Sequence, residues 1–244
     1  MSELTELRRI ANSQECQLDF ASALTTWQEL AHKAPDDPEV LCAIARIEAY
    51  QKLEAHRLAV VNRLLAVGLS LSDTKTLEEL MNLILAVSRE VTASDAGSIY
   101  IVDRSDPQTP VVRFLVAQND SQPDRTLSDF AVPMDNNSLV GYVAMTGACL
   151  NIPDAQQIPP TAPYRHHSTF DQDIDYQTRS VVVVPMQDSR QQIIGVMQLI
   201  NRKCDANLPF SAENVQPYRD WEVAVVRALA DQASIVMERN SIAY

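Results

Sequence analysis

At 244 residues with 46% hydrophobic side chains, the chain is long enough for one large or two small domains and falls outside the disordered class. Its net charge of −12 opposes binding to the phosphates of DNA, RNA or anionic membranes. No apolar run reaches the roughly 18 residues of a membrane span. The acidic start, Met1 to Leu7, lacks a signal peptide's basic and apolar regions, and the scattered cysteines Cys16, Cys42, Cys149 and Cys204 suit a reducing cytoplasm.

Residues 3 to 92 contain a single glycine, Gly68, and read as helix almost throughout. Leu7, Ile10 and Ala11 recur at helical spacing, as do Ala23, Leu24, Trp27, Leu30 and Ala31. Ala34-Pro35-Asp36-Asp37-Pro38 stops the second of these helices, and proline near the first turn starts the next, expected over 39–67. A further helix is predicted over 76–91, with a stripe of Leu77, Leu80, Met81, Ile84 and Leu85 and a cap from Ser72, Asp73 or Thr74.

The period then changes. Gly97 to Asp103 reads as a strand, and Val111 to Ala117 as a second across a polar turn. A polar stretch separates it from Phe130-Ala131-Val132-Pro133. Residues 138–146 read as a short helix closed by Gly147, followed by a strand at Cys149 to Ile152. Residues 155–176 have no apolar period. Val181 to Met186 and Ile193 to Ile200 form a hairpin, and a last helix covers 221–240. The predicted fold class is α+β, an antiparallel sheet flanked by helices and preceded by an all-helical region.

Asp95 to Asp103, Gly141 to Gly147, Leu150-Asn151-Ile152-Pro153-Asp154-Ala155, Tyr176 to Met186 and Ile194 to Asn201 together resemble the GAF domain, in particular that of cyclic-nucleotide phosphodiesterases and cyanobacterial adenylyl cyclases. The resemblance covers about residues 70–240. Residues 7–35 resemble one tetratricopeptide-like hairpin, through Leu7, Ile10, Ala11, Ala23, Trp27 and Pro35. The expected division is 1–69 helical and 70–244 GAF.

The GAF resemblance implies a cup. The sheet is its floor, and the 138–146 helix and the 155–178 segment are its lid. Helix-start amides near Leu139 and Val140 would face a cyclic phosphate, where a helix dipole suits one negative charge. Ser98, Asp171, Thr178 and Gln198 would supply the polar contacts. Related domains carry an Asn-Lys…Phe…Asp-Glu signature whose lysine–acid pair clamps the lid. Here Asn201 is followed by Arg202 and then Phe210, and the acid is Glu213, Asp220 or Glu222. The clamp is taken as Asn201, Arg202 and Glu222. Arg179 is expected to pair with Asp171.

Other chemistries fit the residues less well. His166-His167 lacks paired carboxylates or cysteines for a metal. Asp171, Asp173 and Asp175 are too few oxygens for calcium. No Cys-His pair is present for a bilin, and Cys149 and Cys204 lack the setting of a thiol reductase. The expectation is a cytoplasmic, non-enzymatic signalling sensor without cofactor, binding cAMP or cGMP. Its flanking helices would make a homodimer, its N-terminal helices would offer a surface to a protein partner, and its origin would be bacterial. The alternatives are a GAF scaffold whose pocket is filled by its own side chains, and a regulatory fragment of a larger signalling enzyme.

Overall fold

The computed structural model describes residues 3–51, 76–123, 131–166 and 176–241. The chain divides into two compact units, Met1–Arg63 and Leu64–Tyr244. The boundary expected at residues 69 and 70 lies outside the described residues, as does the 52–67 part of the predicted 39–67 helix.

In the first unit, α1 (Glu3–Cys16) and α2 (Phe20–Lys33) are followed by a helical stretch, α3, over 38–51. Asp19 caps α2 through its side chain, which accepts the Ser22 amide at 3.2 Å. Ala11, Ala23, Trp27, Leu30, Val40, Ala43 and Ile47 form one buried cluster drawn from all three helices. Burying a side chain of leucine size stabilises by roughly 1.5–3 kcal/mol. Glu15 joins the helices from the rim: it accepts Trp27 Nε1 at 2.7 Å and pairs with Arg46 at 2.7 Å.

The second unit begins with α4 (Leu77–Thr92), started by a capping box between Thr76 and Glu79. Its cap is not the Ser72, Asp73 or Thr74 of the sequence reading, which lie outside the described residues. Ala93 closes α4 in the left-handed conformation, with φ 53°, so β1 (Ser94–Asp103) starts three residues before the expected Gly97. There follow β2 (Val111–Asn119), β3 (Ala131–Pro133), α5 (Leu139–Thr146), β4 (Leu150–Ile152), β5 (Val181–Gln187), β6 (Ile193–Arg202) and α6 (Asp220–Ser241). Single 3₁₀ turns occupy Ala155–Gln157 and Ala212–Asn214.

The six strands form one antiparallel sheet in the order β3-β2-β1-β6-β5-β4, as the α+β reading expects. Alternation along β1 and β6 sends side chains to two different layers. On one face Ser88 of α4 reaches Met197, and a Cβ added to Gly97 would meet Leu85 at 2.9 Å. On the other, Tyr100 and Val196 join α5 residues Leu139, Val140, Val143 and Ala144 in a separate buried cluster. Two glycines fix α5. Gly147 ends it with φ 72°. Gly141 leaves room for the β3–α5 turn, since a Cβ there would fall 2.3 Å from Pro133 O.

Candidate functional site on the α5 face of the sheet

Ser98 of β1 and Gln198 of β6 are direct cross-strand partners, and Gln198 also lies opposite Val183 of β5. Both point to the α5 face, in register with Tyr100 two residues along. Tyr100 Oη donates to Gln198 Oε1 at 3.0 Å, and Ser98 lies two residues back on the same strand face. The three side chains make one polar line in an otherwise apolar layer. Burial pushes the Tyr100 hydroxyl well above the usual tyrosine range, although the Ser98 bond pulls the other way. The Tyr100 ring packs on Phe114 with centroids 4.4 Å apart.

Helix α5 packs on the same face, in one buried cluster with Tyr100. Ser138 Oγ accepts the Gly141 amide at 2.9 Å and caps the helix. The amides of Leu139 and Val140 lie in the first turn, outside the intrahelical ladder. The return of the chain covers the same face: Ala155 is buried in the α5 cluster, Ile158 and Tyr164 pack against it, and the Tyr142 and Tyr164 rings meet edge-on at 5.2 Å.

The described ends of the 155–178 segment are tied to each other and to β6. The Ala155 amide donates to Arg179 O at 2.8 Å, and Gln156 Nε2 donates to Thr178 O at 3.0 Å. Arg179 pairs with Asp154 at 3.3 Å. Its expected pairing with Asp171 lies outside the described residues, as do Asp173, Asp175 and His167. Thr178 is 2% exposed. Asn201, at φ 58°, is the tie to the sheet: Oδ1 accepts the Arg179 amide at 2.7 Å and Nδ2 donates to Gln177 O at 2.8 Å.

The structure brings Arg202 and Glu222 together and leaves Glu213 and Asp220 outside that pair. Arg202 Nε lies 2.7 Å from both Glu222 carboxylate oxygens, and Nη1 donates to Gln216 Oε1 at 3.1 Å. Glu222 Oε2 also accepts the Arg219 amide at 2.7 Å, as a carboxylate in the first turn of α6 does. The pair therefore fixes the start of α6 to the end of β6. Both residues are buried.

Two participants escaped the sequence reading. Tyr100 is one; its place two residues from Ser98 on the same strand face is the signal that could have found it. The other is the junction at Asp95. This buried carboxylate accepts Tyr176 Oη and Ser121 Oγ, each at 2.8 Å, and its backbone oxygen accepts Arg89 Nη2 at 2.8 Å. Phe210 packs on Tyr176 with centroids 5.2 Å apart. No local pattern links Asp95 to Tyr176, which are 81 positions apart. Among the described residues no group of three His, Cys, Asp or Glu could hold a metal ion, and no helix is long and apolar enough to cross a membrane.

A cup-shaped antiparallel sheet, helices behind it and a short helix with a polar line on the other side define a ligand-binding sensor or regulatory module. The GAF domain family model matches residues 76–237, and the chain belongs to that family. Among curated proteins it is similar to the dual 3',5'-cyclic-AMP and -GMP phosphodiesterase 11A of Takifugu rubripes, 32% identical over 141 residues. That stretch is 52% of this chain and 14% of the phosphodiesterase. Among solved structures, the GAF domain of an Acinetobacter phosphoenolpyruvate-protein phosphotransferase superposes with TM-score 0.55 at 14% identity, over 76% of this chain and 96% of that one. The free methionine-R-sulfoxide reductase of Neisseria meningitidis does so with TM-score 0.55 at 18% identity, over 79% and 94%. These likenesses show the fold alone.

Proposed function

We propose that the chain is a cytoplasmic, non-enzymatic sensor that binds a cyclic nucleotide, cAMP or cGMP, on the α5 face of the sheet. The observation that carries this reading is the polar line Ser98–Tyr100–Gln198 on the sheet face that α5 covers. An apolar wall with a few fixed polar groups and a helix start is the chemistry a nucleoside cyclic phosphate needs. The cyclic-nucleotide phosphodiesterase relative at 32% identity supports it. Leu139 and Val140 amides would meet the phosphate, with Ser98, Thr178, Gln198 and Asp171 as the other contacts. Asn201, Arg202 and Glu222 would pass the state of the 155–178 segment to α6. Flanking helices α4 and α6 would carry the signal through a homodimer, and the tetratricopeptide-like helices would recruit a protein partner.

Thermal unfolding with and without millimolar cAMP and cGMP tests this. A ligand at 100 times its dissociation constant stabilises by about 2.7 kcal/mol, a shift of roughly 5–11 °C in the midpoint. A shift with one nucleotide that Thr178→Ala abolishes supports the reading; no shift with either removes it.

One observation favours a second reading, a scaffold without ligand. Tyr100 and Phe114 pack together on the α5 face, and Tyr100 is 4% exposed, so native side chains fill part of that layer. Under this reading Tyr100→Ala would lower stability by roughly 3–5 kcal/mol, and nucleotides would shift neither protein.

A further inference from the structure

Gln198 is the directional member of the polar group on the α5 face. Its carboxamide has one acceptor and two donors. Tyr100 Oη approaches the acceptor side, Oε1, at 3.0 Å. Tyr100 is the donor of this bond and Gln198 the acceptor. The register adds a second constraint, because Ser98 and Gln198 are cross-strand partners on the two central strands. Gln198 remains 9% exposed in a layer whose neighbours Val183 and Val196 are fully buried. With Oε1 engaged by the tyrosine, the end of the carboxamide left for a ligand is Nε2, which carries only hydrogens.

We propose that Tyr100 locks the Gln198 carboxamide as a donor and thereby makes Gln198 a specificity-determining residue for a 6-oxopurine cyclic nucleotide over a 6-aminopurine one. This rests on the proposed nucleotide-binding reading and deepens it. A free glutamine pairs with adenine by accepting from N6 and donating to N7. A glutamine whose oxygen is held elsewhere sets its N–H groups against the adenine amino group, donor against donor. The carbonyl of guanine or hypoxanthine presents an acceptor at the same position. A good pairing of this kind discriminates between bases by a factor of about 5 to 150.

The test is equilibrium titration of the full chain with cGMP, cIMP and cAMP. cIMP carries the 6-carbonyl without the 2-amino group of guanine, so it isolates the contact at issue. Wild type is expected to bind cGMP and cIMP about 5- to 150-fold more tightly than cAMP. Tyr100→Phe keeps the ring and frees the carboxamide to turn; it is expected to bring the three affinities within about threefold of one another. Gln198→Met removes the donor at similar volume and serves if Tyr100→Phe folds poorly; it should have the same levelling effect. Folding of both variants is checked by thermal unfolding without ligand. Equal or tighter binding of cAMP by wild type overturns the proposal while leaving the nucleotide-binding reading intact. So does a 6-oxo preference that both variants retain. Absence of binding by all three nucleotides overturns both.

Discussion

Glu222 and Arg202 form a pair in which each charge depends on the other. Both are buried, and Arg202 Nε divides its bond between two carboxylate oxygens at 2.7 Å. Removing one partner leaves an uncompensated buried charge, so Glu222→Ala is expected to cost about 3–5 kcal/mol in urea denaturation. The double variant Arg202→Met/Glu222→Leu should cost less than Glu222→Ala alone, because no buried charge is stranded. A double variant as unstable as the sum of its single changes would contradict that. Tyr176 makes a smaller contribution of the same kind. Tyr176→Phe leaves the buried Asp95 carboxylate with Ser121 as its remaining hydroxyl donor, and should cost about 1–3 kcal/mol. A loss below a few tenths of a kcal/mol would mean that Asp95 finds another donor.

The element that positions the candidate site is α5, only eight residues long, Leu139–Thr146. So short a helix gains little from propensity and depends on its cap and its packing. Gly141→Ala would push a methyl to 2.3 Å from Pro133 O and 2.9 Å from Asp135 O, so the first turn must move off the β3–α5 turn. The expected outcome is a loss of at least about 1–3 kcal/mol, with weaker nucleotide binding, since the Leu139 and Val140 amides move with that turn. Thermal unfolding and titration check the two halves separately. Helix α5 was legible in the sequence because Ser138 and Gly147 mark both of its ends. The start of β1 was not, because an alanine in place of glycine takes the left-handed cap and because Ser94 and Asp95 are polar residues buried in the strand. The site was half legible for similar reasons. Ser98 and Gln198 follow from strand alternation, and the quoted motifs place them. Tyr100 reads as ordinary core until its hydroxyl is seen on Gln198. The Arg179–Asp154 pair and the Asp95–Tyr176 junction depend on how loops close across the sheet, which no local period encodes.

At the scale of the whole molecule, three tyrosines share one property. Burial pushes Tyr100, Tyr176 and Tyr218 well above the ordinary tyrosine pKa, and the neighbouring Asp95 carboxylate adds to it at Tyr176. In the unfolded chain these hydroxyls ionise near pH 10. Between that value and their raised native values, the folded protein binds more protons than the unfolded one, and stability must fall as pH rises. Their contribution is intact below about pH 10 and declines above it. Denaturation at a series of pH values from 8 to 11.5, with phenolate absorbance followed in parallel, should show stability dropping from about pH 10 and tyrosine ionisation accompanying unfolding. Constant stability across that range would contradict the burial of these hydroxyls.

Amide hydrogen exchange with and without saturating cGMP or cAMP directly locates uptake of a cyclic nucleotide on the α5 face of the sheet. Slower exchange is expected at Leu139 and Val140, whose amides lie outside the helix ladder, and at residues 177–179 held by Asn201. Unchanged exchange at both places, with either nucleotide at millimolar concentration, would contradict it.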